Sequence, residues 1–380
     1  MKKAFLAILF VFALTQSAFA ANFDEDKNVQ EDIARISQET LNSEYDKAIL
    51  RTHDLIYRYP KEPFPRFLLS SIYMYILRSY WDFPGDAQYE TYKKKFAAAA
   101  AEAKKACDDY PAQNATIYFL RGMVLGAEGM VHLQDNEWLD SYSKGKSAVA
   151  ALEKSLELDP TTYDAYLGLG MFEYYCSKLT GAIKILAWLI GFSGDSEKGI
   201  EYVTKAMTRG KYAEDPAKVF LAYAYIQYEE KIDEGVELAK SLRERYPRNF
   251  TFIEYFLRAA RKLSSERATE GISWIDTYVK TPNWKDQVIL FVPFNLEMVD
   301  YVEASLYLAR KDYVAARDLL EPVSACNHHV DEFSTEVNLA LLYVYAKTSD
   351  HEKARQIYTH ILKQKSINNS NSKAKDIFSG

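Results

Sequence analysis

The stretch CNHHVDEF (326–333) gathers the side chains best suited to hold a metal: Cys326, His328, His329, Asp331 and Glu332. Zinc ligands on a helix sit three or four residues apart so that they share a face, whereas adjacent histidines point apart. Since the two histidines point apart, only one of them could pair with Asp331 or Glu332, so a polar loop between helices is expected and no metal site is assigned. A second candidate is glycine-spaced: Gly191, Gly194 and Gly199 read G-x-x-G-x-x-x-x-G, with Lys198 before the last glycine. A phosphate-cradling loop needs G-x-x-x-x-G-K-[ST] after a strand. Here the lysine precedes its glycine, Asp195 would repel a phosphate, and a helical apolar run leads in. Neither H-E-x-x-H nor G-x-S-x-G occurs, which removes two hydrolase signatures. The 53 Asp and Glu residues offer carboxylate pairs everywhere, with no distance between them to single one out. The expectation is a protein that is not an enzyme and holds no cofactor, with an envelope enzyme acting on glycans as an alternative.

The first twenty residues have the layout of a secretory signal. Lys2 and Lys3 precede the apolar run Ala4–Leu14, and Ser17-Ala18-Phe19-Ala20 supplies small residues for cleavage after Ala20. That run is shorter than the roughly 20 residues needed to span a bilayer, and no cysteine follows the cleavage position to carry a lipid. A periplasmic or secreted location is therefore expected, with residues 21–30 flexible. The chain has 47 Lys and Arg against 53 Asp and Glu, a net charge of −6, and losing Lys2 and Lys3 would make it more acidic. Such a balance argues against nucleic acid, whose phosphates need clustered bases. Cys107, Cys176 and Cys326 are too few and too scattered for a disulfide framework, and buried thiols are expected.

The elements that would carry any site are helices. Apolar residues recur with helical spacing nearly throughout, and the chain has only 15 glycines. The one strand-like run, QVILFV (287–292), lies between Pro282 and Pro293 and reads equally as a short buried helix or extended linker, so 281–295 is expected to be a linker or irregular segment. Four segments end alike: YDKAILRTHDLIYRYP (45–60), AAAEAKKACDDYP (99–111), AVAALEKSLELDP (148–160) and GVELAKSLRERYP (235–247). Each has a small residue twelve positions before its proline, namely Ala48, Ala99, Ala148 and Gly235.

This pattern resembles the tetratricopeptide repeat, a helix–turn–helix unit of about 34 residues. In YDAYLGLGMFEYY (163–175), Tyr166, Leu169, Gly170 and, one place late, Tyr174 take the family's first-helix positions, while Ala316 and Ala354 take the small second-helix position in 302–320 and 337–358. The proline spacings of 51, 49 and 87 are not multiples of the repeat, which places insertions within 76–98 and 177–195. The resemblance implies an all-α, tetratricopeptide-like right-handed helical superhelix (α-solenoid) with inserted helices. Repeats are expected over 31–280 and 296–363, with a disordered tail at 364–380. It further implies a concave groove binding a protein or peptide. The family's groove positions fall on Phe67, Tyr75, Tyr118, Tyr174, Tyr175 and Tyr228, followed by Arg258, Arg261 and Lys262. An aromatic wall leading to a basic patch would suit an extended peptide with an acidic end. For any single tyrosine, packing between helices is the alternative.

Ala182–Phe192 is apolar but, at roughly 1.5 Å per residue, reaches only half a bilayer core. It must be buried in the stack or lie shallowly in a lipid interface, the latter defining a membrane-peripheral assembly factor with peripheral membrane contact. In the first case Gly191, Gly194, Asp195 and Gly199 form a structural corner, the glycines freeing the backbone and Asp195 capping the next helix. IGFSGDSEKGIEYVTKA (190–206) is also similar to a motif of tetratricopeptide proteins related to the fungal mitochondrial inclusion-body-clearance protein and its animal relatives. That likeness implies an adaptor with no catalytic residues.

Overall fold

The computed structural model describes residue 23 and residues 26–81, 86–179, 194–288, 296–326, 332–363 and 366–379. Among them no strand forms, and helices follow one another by short turns. The chain divides into two compact units, Met1–Leu221 and Ala222–Gly380. The N-terminal unit holds α1 (Lys27–Leu41), α2 (Tyr45–Arg58), α3 (Pro63–Arg78), α4 (Ala87–Asp109), α5 (Ala115–Gln134), α6 (Trp138–Leu158), α7 (Ala165–Ser177) and α8 (Ser196–Arg209). The division falls inside α9 (Glu214–Gln227) rather than at the expected linker 281–295. The C-terminal unit continues with α10 (Ile232–Arg245), α11 (Phe250–Arg261), α12 (Ala268–Trp274) and a π-helical turn, Ile275–Val279. It ends with α13 (Trp284–Gln287), α14 (Glu297–Ala309), α15 (Tyr313–Cys326), α16 (Glu332–Lys347), α17 (His351–Lys363) and α18 (Ser370–Ser379).

The packing is that of tetratricopeptide-like repeats. Pairs form as α1·α2, α3·α4, α5·α6, α7·α8, α14·α15 and α16·α17, and second helices also meet the first helix of the following pair in α2·α3, α4·α5, α6·α7 and α15·α16. First helices touch one another across pairs, α3 to α5 and α5 to α7 in one unit, α14 to α16 in the other. The small residues make this close approach feasible. Ala48, Ala99, Ala148, Gly235, Ala316 and Ala354 are all buried, and a Cβ on Gly235 would lie 2.6 Å from Ile226 of α9.

Prolines set the far ends. Helices α2, α4, α6 and α10 each stop two residues before Pro60, Pro111, Pro160 and Pro247. The residue preceding a proline is pushed out of helical geometry, and Tyr59, Tyr110, Asp159 and Tyr246 all have positive ψ there. The near ends share another device. Ser43, Asn136, Glu230, Lys311 and Ser349 each adopt a left-handed conformation, φ between 54° and 62°, two residues before the second helix of a pair. The residue after it reaches back to the first helix, as Glu44 N to Glu39 O (2.8 Å), Glu137 N to His132 O (2.8 Å) and Asp312 N to Tyr307 O (2.9 Å). Orphaned carbonyls are thereby satisfied without glycine.

Several expectations need correction. Residues 21–30 are not uniformly loose: α1 begins at Lys27 behind the cap of Asp26, and the Phe23 side chain is buried. Within the tail 364–380, expected to be disordered, Ser370–Ser379 forms α18, which packs on α16 and α17, buries Ala374, and stacks Phe378 on Tyr358 at 4.5 Å. Its apolar residues are few but share one helical face, so composition understates what they cover. The irregular spacing at 76–98 comes from a long connection and a 23-residue α4, with no extra helix among the described residues. Within 281–295, Trp284 and Val288 are buried, while the strand-like 289–292 lies outside the described residues. So do residues 1–20, most of 326–333 and Ala182–Phe192.

Candidate partner-binding surface

The first helices supply the face where a partner would lie. Pro63 opens α3, where its fixed φ suits the first turn and its missing N–H costs nothing. Phe67, Ser71, Met74 and Arg78 then recur on one stripe of that helix, and all four are half-buried. Phe67 packs its ring 5.7 Å from Phe64 and 6.2 Å from Phe119 of α5. Tyr75 lies beside the stripe and is half-buried too.

Tyr118 does not join this face. It precedes Phe119 by one residue, a rotation of about 100° on the helix. Its ring lies under the Arg121 guanidinium at 5.4 Å, and Arg121 pairs with Asp108 of α4 at 2.6 Å. The residue that meets Phe67 is Phe119, which the family alignment passes over by one position.

Tyr174 is a core residue rather than a groove residue. Its side chain is fully buried, T-shaped on Phe220 of α9 at 5.2 Å, and its backbone abuts Gly199 of α8. Tyr175 remains half-buried against the same Phe220 at 5.7 Å. The other expected residues belong to the C-terminal unit. Tyr228 is 44% exposed with its ring edge-on to Tyr223, 5.8 Å away. The basic patch is partly spent internally: Arg258 donates to Glu254 Oε1 at 2.8 Å and Lys262 to the Gln227 carbonyl at 2.7 Å, whereas Arg261 is exposed.

The glycine-spaced corner is architectural where it is described; Gly191 lies outside. Asp195 Oδ1 accepts from the backbone N–H of Glu197 (2.9 Å) and Lys198 (3.1 Å), capping α8. Gly194 has φ +47°, and a Cβ there would come 2.3 Å from Ser177 N. Gly199 faces Gly170 of α7, where a Cβ on either would lie under 3 Å from the other's carbonyl oxygen. Lys198, the residue a phosphate loop would use, instead holds Glu173 Oε1 at 2.6 Å.

Several ionisable groups enclosed in the fold pair between helices. Glu128 of α5 accepts from Lys144 of α6 (2.7 Å) and from Lys104 of α4. Burial pushes the Glu128 carboxyl up, but the two lysines together outweigh it and hold it below the usual glutamate range. Asp135 accepts from the Tyr89 hydroxyl at 2.5 Å and pairs with Lys93, joining α4 to the end of α5. Lys280 bridges Asp300 (2.7 Å) and Glu303 on α14. Burial pushes the thiols of Cys107 and Cys176 up to about 11 and about 12, which keeps both protonated and inert. His132, Glu137 and Asp140 bring ligand atoms within 4.8 Å of one another around the left-handed Asn136 turn. There His132 Nδ1 and Glu137 Oε2 are 2.6 Å apart, a contact across the hairpin. Two exposed apolar side chains that no repeat pattern marks, Trp138 and Leu139, start α6 beside it.

No protein-family model matches the chain, and no curated protein matches it. Among solved structures, the crystal structure of the yeast Tom70 aligns over 95% of this chain and 83% of that chain, with 12% identity and a TM-score of 0.37. Among the described residues no helix is long and apolar enough to cross a membrane.

Proposed function

We propose that the chain is a non-catalytic scaffold, exported from the cytoplasm, that binds an extended peptide or protein surface on the face built by its first helices. The observation that carries this reading is the contiguity of that face in the N-terminal unit. Helices α3, α5 and α7 touch in series, and α3 contributes the half-buried stripe Phe67, Ser71, Met74 and Arg78. A repeat pair cannot bury such a stripe alone, and stacked neighbours leave it available for a partner. Aromatic and methionine side chains supply adaptable contact area for a peptide. The basic n-region and apolar run at 2–14 support export.

Site-specific photocrosslinking tests the reading. A photoreactive residue replacing Met74 should yield discrete adducts with a partner in the envelope fraction. The same residue replacing Tyr57, which is 85% exposed on the outer helix α2, should yield none. Adducts of equal yield at both positions, or only at Tyr57, would reject the first-helix face.

A further inference from the structure

Phe23 belongs to no helix, yet its ring is as enclosed as the core, 4% exposed. It meets the Tyr59 ring edge-on at 5.1 Å and an interplanar angle of 79°, and the Phe64 ring at 6.4 Å. The walls come from distant parts of the chain. Tyr59 is the pre-proline residue closing α2, Phe64 lies in the first turn of α3, and Ile117 and Leu120 come from α5. A cavity of ≈ 30 Å³ remains beside the ring, bordered by Glu62, Tyr110 and Asn114, room for about one water. Three residues on, Asp26 Oδ2 accepts from the Tyr59 hydroxyl at 3.1 Å. One tyrosine thus holds both an aromatic ring and a carboxylate of the same short segment.

A non-helical residue has no local pattern that would bury it. Its enclosure is a property of the socket, and an aromatic ring seated in a pocket of other elements is how extended peptides are anchored. The socket is continuous with the proposed face, because Phe64 also packs on Phe67. We infer that it is a recognition site for an extended peptide bearing an aromatic residue with a carboxylate three positions later, and that Phe23 and Asp26 of this chain fill it in cis. The tethered segment competes at high effective concentration, so a partner gains access only by displacing it. This rests on the peptide-binding role proposed above and gives the partner's chemistry.

The probe is the capped peptide ANFDED, residues 21–26 of the chain itself, observed by saturation-transfer NMR, which detects weak binders on a large protein. Against the full-length Phe23→Ala chain its ring protons should receive at least about 5-fold more saturation than against wild type, whose socket is occupied. Replacing the peptide's last aspartate by alanine should weaken the transfer to a Phe23→Ala/Asp26→Ala chain, in which the Tyr59 hydroxyl is released. Equal transfer to wild type and variant overturns the inference, as does none to a Phe23→Ala chain that keeps the wild-type circular dichroism. If Phe23→Ala does not fold, Phe23→Leu decides, since it leaves the socket partly filled. It should give transfer above wild type, and transfer no greater than wild type overturns the inference. Failure here leaves the crosslinking at Met74 unaffected, so the socket and the scaffold reading fail separately.

Discussion

Helix pairs α14·α15 and α7·α8 reach a similar packing by different routes. The first pair is joined by a three-residue turn whose central Lys311 sits at φ 62°, and Ala316 is buried in the same core cluster as Ala304. The second pair is separated by 178–195, most of which lies outside the described residues, and the left-handed residue two positions before its second helix is a glycine, Gly194 at φ 47°. Its geometry is fixed at the contact as well. A Cβ on Gly170 would lie 2.7 Å from Gly199 O and 2.8 Å from Val203 N, and Gly194 folds back on Cys176 and Ser177. In α14·α15 alanine is small enough, whereas in α7·α8 backbone touches backbone, and only glycine permits that.

The sharpest way to break this contrast is Gly170→Ala. It would strike two backbone atoms, which cannot rotate away, together with the β-branched Val203 side chain, so the cost should reach the upper end of overpacking, about 3 kcal/mol. For a unit of this size calorimetry should show a fall of about 6–12 °C in melting temperature. A change within about 2 °C would mean that α7·α8 slides freely and the glycines are incidental.

A smaller effect is expected at α5·α6, which has both devices, the left-handed Asn136 and the close-packed Gly122, and is additionally fastened by Glu128. Glu128→Gln should cost about 1–2 kcal/mol at neutral pH, since the paired lysines stay partly in water. Its pH dependence has a definite sign. A carboxyl held below its unfolded value of 4.5 contributes stability that is present above that pH and lost as pH falls through the lower folded value. The gap between wild type and variant in melting temperature should therefore close on acidification below 4.5, and a gap independent of pH would show that the lysine contacts add nothing.

The smallest effect has the opposite sign. Lys311→Gly relieves a left-handed lysine in an exposed turn and should stabilise the C-terminal unit by roughly 0.5–1 kcal/mol. A loss measured in the same assay would mean that the lysine side chain contributes more than its backbone conformation costs.

Much of the fold could be read from particular residues. Ala48, Ala99, Ala148 and Gly235 are all buried, and the prolines twelve positions later all end helices, because both constraints are local and steric. The left-handed turns escaped notice since serine, asparagine, glutamate and lysine fill them, and no residue type marks the position. The repeat spacing breaks around 79–86 and 178–195, each described only at its ends, although a lengthened α4 was not foreseeable from spacing alone. The candidate surface was harder to read. Tyr118 and Phe119 differ by one position, yet one lies under Arg121 and the other meets Phe67. Tyr174 fits the repeat pattern and is buried for that reason, because Gly170 and Gly199 draw α8 down onto its backbone. Phe23 had no periodicity to reveal it, since its socket is assembled from three separate helices.

The Tyr212 hydroxyl donates to Gln30 Oε1 at 3.1 Å, across 182 residues of sequence, and the Tyr212 ring lies 5.1 Å from Phe64. Stacked repeats ordinarily behave as a one-dimensional chain in which each unit feels only its neighbours and terminal repeats fray first. Here α1 is clasped by a residue that follows α8. Opening α1 means releasing Tyr212 as well, so α1 does not open independently of the end of α8. It should exchange its amide protons about as slowly as α5.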